Sequence, residues 1–203
     1  MRWKLPNLGL GDLRSGLHSR YRADVLFVHI NKTGGSSIER ALALPFQHRT
    51  ARELVDLVGP DRWRSCFTFA FVRNPWDKVV SHYFYRVKTD QTGLADRHLD
   101  FDEWVLRAYG RREPRYHDDP KWFMPQIEWI ADEDGEILVD FVGRFERLEE
   151  DFAEVCRRLG RDARLPHVKA SDRPPYAETY SPESAEIVRR HFAADIELFG
   201  YEF

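Results

Sequence analysis

Apolar residues in this chain recur in two patterns, short unbroken runs and runs spaced three or four apart. Val25, Leu26, Phe27, Val28 and Ile30 form one unbroken run, and Cys66 to Val72 (CFTFAFV) form another. Runs of this length, rich in β-branched and aromatic types, predict buried strands. Each is followed at once by helical spacing. After the Gly34-Gly35 break, Ile38, Ala41 and Leu42 share a face, with Ser36 or Ser37 as the expected cap. After Asn74-Pro75, a pair that suits a helix start, Val79, Val80, Tyr83, Phe84 and Val87 share a face through about residue 88. Strand, turn and helix occurring twice predict an α/β fold with a parallel sheet.

The remaining stretches read less regularly. Leu44 to Thr50 predicts a loop, and Ala51 to Val58 a short helix stopped by Gly59-Pro60. The polar segment 89–120 carries a helix over Phe101 to Tyr109 and otherwise reads as a substrate loop or a surface connection. Lys121 to Ala131 is rich in aromatic and aliphatic residues, and Asp132 to Gly135 is a turn. Ile137 to Phe145 reads as strand, Leu148 to Leu159 as an amphipathic helix ended by Gly160, and Pro182 to about Ala194 as a last helix.

Composition narrows the class. The chain has 203 residues, 42% hydrophobic and 32% charged, which is globular rather than disordered. A net charge of −3 argues against bulk electrostatic binding of nucleic acid, so any anion site must be local. Cys66 and Cys156 belong to no CxxC pair and read as reduced core thiols of a cytoplasmic protein. No apolar run approaches a membrane span. Residues 1–23 read as a polar, glycine-punctuated lead-in without a signal-peptide core; the alternative reading is membrane contact through Trp3, Leu5, Leu8 and Leu10. Residues 24–203 read as a single domain.

The chemistry concentrates where the strands end. A strand feeding a glycine turn and a helix N-terminus presents free N–H groups and the positive end of the helix dipole to one spot. Lys32 adds charge there, Gly34 and Gly35 add backbone freedom, and Thr33, Ser36 and Ser37 add hydroxyls. The ligand expected is phosphate or a close relative. The stretch is not the nucleotide-triphosphate P-loop, because the lysine precedes the glycines and no Gly-Lys-Ser/Thr follows. Arg73 ends the second strand, at the same sheet edge, where a guanidinium fork suits phosphate oxygens. Ser81 lies two turns further on. Two anion grips suggest a nucleoside with anionic groups at both ends. The competing role for Arg73 is a local pair with Asp77.

HINKTGGSSI resembles the 5′-phosphosulfate loop of the sulfotransferases, and RNPWDKVVSHY resembles their 3′-phosphate motif. FVGRFERLEEDF and the ending DIELFGYEF are similar as well, most of all to the branch with the carbohydrate and heparan sulfate 2-O-sulfotransferases. Asn31 departs from the pattern, which usually has proline there. The resemblance implies a P-loop-like three-layer fold with a central parallel sheet flanked by helices. It also implies 3′-phosphoadenosine 5′-phosphosulfate (PAPS) as co-substrate, held by Lys32, Thr33, Gly34, Gly35, Ser36, Ser37, Arg73 and Ser81. The product would be adenosine 3′,5′-bisphosphate, and no metal is required.

The reaction implied is in-line sulfuryl transfer to a hydroxyl or amine of a small molecule, a carbohydrate or a glycoconjugate. Lys32 would meet the charge that grows on the departing phosphate. The acceptor must lose a proton. His48 is the first candidate base, because the 2-O-sulfotransferases carry theirs in a similar stretch. His167 is the second, with His29, His82 and Glu128 behind it. His117-Asp118-Asp119 reads as a solvated loop rather than a metal site. The alternative class is a nucleotide-binding protein without transfer activity or a small-molecule kinase with an atypical P-loop, which would need Mg²⁺ and a carboxylate to hold it.

Overall fold

The computed structural model describes residues 24–94, 99–166 and 173–203. Its centre is a parallel sheet of three strands in the order β1 (Val25–Val28), β2 (Phe67–Val72) and β3 (Phe141–Arg144). Val25 pairs with Phe67 and Val28 with Ala70, while Phe69 pairs with Phe141 and Val72 with Arg144. Alternation along each strand sends side chains to opposite faces. Leu26, Val28, Ala70 and Val72 pack on one side with Leu54, Trp63, Trp129 and Phe199. Val25, Phe27, Phe69 and Phe71 pack on the other with Ile38, Leu42, Phe152 and Val155. Both faces are therefore covered by helices, which is why these strands read as unbroken apolar runs.

Helix α1 (Gly35–Leu42) follows β1 and buries Ile38 and Leu42 against the sheet. α2 (Ala51–Val58) starts at Thr50, whose hydroxyl accepts from the Glu53 N–H in a capping box. α3 (Pro60–Ser65) follows directly: Gly59-Pro60 ends one helix and opens another, with Pro at its first position. β2 leads into α4 (Pro75–Lys88), capped by Asn74, whose side-chain oxygen accepts from the Trp76 N–H at 3.0 Å. α4 packs with α5 (Phe101–Val105) and α9 (Pro182–His191) around Trp104, Phe123 and Phe192, in a core separate from the sheet.

Several expectations are corrected. Neither Ser36 nor Ser37 caps α1; Gly34 does, with φ 83° and no side-chain cap. The strand expected over 137–145 is confined to Phe141–Arg144, and Ile137 instead makes an isolated antiparallel bridge with Ala131. The segment 121–131 splits into α6 (Pro120–Phe123) and α7 (Ile127–Ile130). The helix expected over 101–109 is α5 followed by a wider turn, Leu106–Gly110. α8 (Leu148–Leu159) ends at Gly160 as expected. The last helix breaks at Phe192, whose φ of −106° and ψ of 26° leave the helical range, into α9 and α10 (Ala193–Phe199). Cys66 and Cys156 are buried and unpaired. Among the described residues no helix is long and apolar enough to cross a membrane. The expected lead-in 1–23 lies outside the described residues.

Candidate functional site

The chain after β1 stays buried through His29, Ile30 and Asn31 and then turns sharply. Lys32 takes φ 66° and Gly34 φ 83°, both left-handed. For lysine this conformation costs about 1–2 kcal/mol, a strain that the surrounding contacts must overcome. Thr33 differs from expectation. Its Oγ1 donates to the Ile30 carbonyl at 2.9 Å, so the hydroxyl braces the loop and has no proton left for a ligand. Gly35 is required by packing, since a Cβ there would fall 2.1 Å from the His29 ring. Ser37 N–H closes the turn onto the Gly34 carbonyl at 3.0 Å. Gly35 and Ser36, the first helical residues, have no intrahelical acceptor for their N–H groups. The Ser36 side chain is exposed and that of Ser37 half-buried.

Lys32 is half-buried, with Nζ 4.2 Å from the centre of the Tyr85 ring. Burial, then the charges of Arg73 and Arg173, push its pKa down to about 8. At neutral pH it is still mostly an ammonium, crowded by like charge.

Arg73 is held on all sides. Gln126 bonds its backbone twice, accepting from the N–H and donating to the carbonyl, each at 2.8 Å. The guanidinium lies 3.8 Å over the Phe145 ring. Its Nε and Nη2 donate to Asp77 Oδ2 at 2.8 and 2.6 Å, and its Nη1 donates to the Lys32 carbonyl at 2.9 Å. The competing Asp77 pair therefore exists, and Arg73 also meets the first loop. A guanidinium presents five donors, so these bonds leave Arg73 capacity for an anion. Asp77 takes a further bond from Arg173, so one carboxylate serves two guanidinium groups.

Ser81 stands on α4 one turn after Asp77 and one turn before Tyr85, on the same face. Asp77 touches Arg73 and Tyr85 touches Lys32, so the stripe that carries Ser81 runs along the cradle.

A chain of aromatic rings leads from Lys32 to His48. Tyr85 and Trp122 are parallel within 3° at 6.4 Å, and the Trp122 ring is 5.0 Å from that of His48. His48 Nδ1 is 3.0 Å from the His29 carbonyl. A carbonyl only accepts, so Nδ1 carries the proton and Nε2 the lone pair. Burial, then His29, push the His48 pKa below its ordinary value, so the ring is neutral at pH 7. His29 is 2% exposed, with Nδ1 2.8 Å from Glu39 Oε1 and its ring 4.1 Å from that of His48.

The other candidates are placed differently. His82 is fully buried beside the Tyr109 hydroxyl at 3.3 Å and stacks at 6.1 Å on Trp122, the neighbour of His48; burial, then the charges of Lys78, Arg86 and Lys32, hold its pKa well below the ordinary value. His117 Nδ1 lies 3.0 Å from the Ala108 carbonyl, Asp118 pairs with Arg86, and Asp119 caps α6, so those residues serve the fold. Glu128 is exposed on α7. His167 lies outside the described residues. Among the described residues no three His, Cys, Asp or Glu side chains gather as a metal-holding group.

Sequence reasoning missed several groups here. Lys78 is 1% exposed, and burial lowers its pKa to about 8 against the opposing pull of Asp195. Its signal was visible: a lysine between Trp76 and Val79 on the apolar face of α4. Arg173, Gln126 and Trp122 come from segments remote in the chain and had none. Asn31, the departure from the family pattern, donates to the Trp122 carbonyl at 2.9 Å and so ties the cradle to the segment beside His48.

Comparison with known proteins adds the following. A family model described as the sulfotransferase family matches residues 19–202. A protein of Archaeoglobus fulgidus described as uncharacterized is 33% identical over 104 residues, covering 51% of this chain and 75% of that protein. The crystal structure of a sulfotransferase from Alicyclobacillus acidocaldarius superposes with a TM-score of 0.49 at 16% identity, covering 90% of this chain and 97% of that one.

Proposed function

The chain belongs to the sulfotransferase family, and from that membership we propose that it moves a sulfuryl group from PAPS to a hydroxyl acceptor, a carbohydrate or glycoconjugate. The observation that carries this reading is the position of Lys32. Its carbonyl takes the Arg73 bond, and its ammonium faces Tyr85, which leads through Trp122 to His48. The Arg73 guanidinium and, through two rings, a neutral imidazole are thus both linked to one lysine.

The residues fit such a donor. Gly34 and Gly35 let the backbone approach closely, and although Asp77 pairs with both guanidinium groups, Arg73 and Arg173 still depress the Lys32 ammonium, a repulsion that a bound anion would relieve. PAPS when bound supplies an activated sulfuryl group and a phosphate leaving group. Lys32 and the N–H groups of Gly35 and Ser36 would hold the 5′ end, and Arg73 and Ser81 the 3′-phosphate. Lys32 neutralises charge at the departing phosphate oxygen, where a preorganised cation lowers the barrier most. His48 Nε2 takes the acceptor's hydroxyl proton. The cations of the chain carry this electrostatic work, and the reading assigns no role to a metal.

The test is transfer from PAPS to a panel of sugars, glycoconjugates, phenols and amines, with EDTA present. Calorimetry alongside should show adenosine 3′,5′-bisphosphate binding more tightly than AMP. Equal affinity for the two would remove the role given to Arg73 and Ser81, and ATP-dependent labelling with Mg²⁺ would favour a kinase.

A further inference from the structure

A base serves in-line transfer only if it is held at a fixed place beside the donor cradle, and the contacts of Glu39 bear on that place. Glu39 lies in the second turn of α1, the helix that the phosphate loop opens, and is 4% exposed. Its Oε1 accepts twice: from His29 Nδ1 at 2.8 Å and from the backbone N–H of Gln47 at 3.1 Å. His29 supplies the carbonyl that orients the His48 imidazole, and Gln47 is the residue before His48. The same His29 ring lies so close to Gly35 that no side chain fits there. One carboxyl group thereby joins the helix of the cradle, the end of β1 and the loop that carries the base.

A purely structural role explains this poorly. Glu39 Oε2 is buried with no partner, and a buried carboxyl group left half-satisfied is a weak source of stability beside an apolar residue of similar size. A helix position facing the interior would be filled more simply by leucine or methionine.

We propose that Glu39 is a positioning residue. Acting through His29 and Gln47, it keeps His48 in the Nδ1–H tautomer, Nε2 free to take the acceptor's proton, in fixed register with the phosphate loop. The proposal rests on the reading of His48 as the base. Glu39 takes no proton in the step; the acceptor's proton passes to His48 Nε2. The charged and titratable groups facing His48 are His29 from the end of β1, Glu39 from α1 and Lys121 from α6. Of these, Glu39 favours the protonated ring, Lys121 opposes it, and His29 acts both ways, its ring opposing and its carbonyl bond favouring.

The experiment is a histidine-resolved NMR titration of the full chain, run beside the pH profile of kcat. It uses wild type, Glu39→Gln, Glu39→Asp, His48→Ala and the double variant Glu39→Gln/His48→Ala. Glu39→Gln should move the His48 titration to lower pH and the rising limb of kcat with it. Turnover should fall about 10–100-fold, the usual loss when the partner orienting a functional imidazole is removed. Affinity for adenosine 3′,5′-bisphosphate should stay within about twofold, which also shows that the variant is folded. Glu39→Asp keeps the charge but shortens the reach, so the titration should return towards wild type while turnover recovers only in part. In the His48→Ala background, Glu39→Gln should cost nothing further. An unmoved His48 titration, or an equal loss with and without His48, overturns the link to Glu39. Full turnover in His48→Ala overturns the base assignment instead, so the two failures are read separately.

Discussion

The cradle around Lys32 and the pocket around His48 are built in opposite ways. The cradle is a single stretch, strand end to helix start, in which neighbouring residues supply the turn, the strain and the N–H groups. The pocket is assembled from distant pieces, tied by side chain to backbone bonds: His48 to the His29 carbonyl, Asn31 to the Trp122 carbonyl, and Glu39 to the Gln47 N–H. Their electrostatics differ too. Burial lowers both first; Lys32 is then lowered by crowding guanidinium groups, which an anionic ligand would reverse, and His48 by the neighbouring His29 ring. A site for a charged nucleotide can be pre-charged by local sequence. A site that removes a proton needs a neutral ring held in one tautomer, and that takes the packed structure.

The largest effect expected is at His48. His48→Ala should cut turnover about 10²–10⁴-fold, the range of general-base catalysis, and leave nucleotide affinity intact. Loss of nucleotide affinity in this variant would mean that the pocket and the cradle are one unit. Lys32→Ala should lower kcat about 10²–10³-fold, as when one transition-state donor is removed. A change in KM alone would reduce Lys32 to a binding residue. Arg73→Ala should weaken adenosine 3′,5′-bisphosphate by about 1.5–3 kcal/mol, the size of a charge-assisted hydrogen bond, and AMP hardly at all. Asp77 keeps Arg173 as its partner in that variant, so the loss is not that of an orphaned carboxylate.

The smallest expected effect is a shift of pH limbs. His48 is active when neutral, so activity should rise with pH through a limb below about 6.5. Lys32 is active when charged, so kcat/KM should fall as pH rises through about 8. At saturating donor the upper limb should move to higher pH, because a bound anion favours the ammonium. An upper limb that stays in place with donor bound would detach it from Lys32.

Much was legible in the chain itself. β1, β2, the turns after them and the helices that follow could be read from apolar runs and from Gly34-Gly35 and Asn74-Pro75. Backbone conformation over a few residues depends on sterics, on capping and on which face must be buried. The same local logic picked out Lys32, Arg73 and Ser81 as one sheet edge and its helix. Tertiary structure alone decided the rest. It gave Asp77 to Arg173 as well as to Arg73, its neighbour one turn away. It also brought Trp122 beside His48 and set Glu39 under both His29 and Gln47. These partners lie up to 96 residues apart. No spacing rule along the chain encodes such a contact, because it exists only when packed helices close the distance and exclude the water that would otherwise satisfy each polar group.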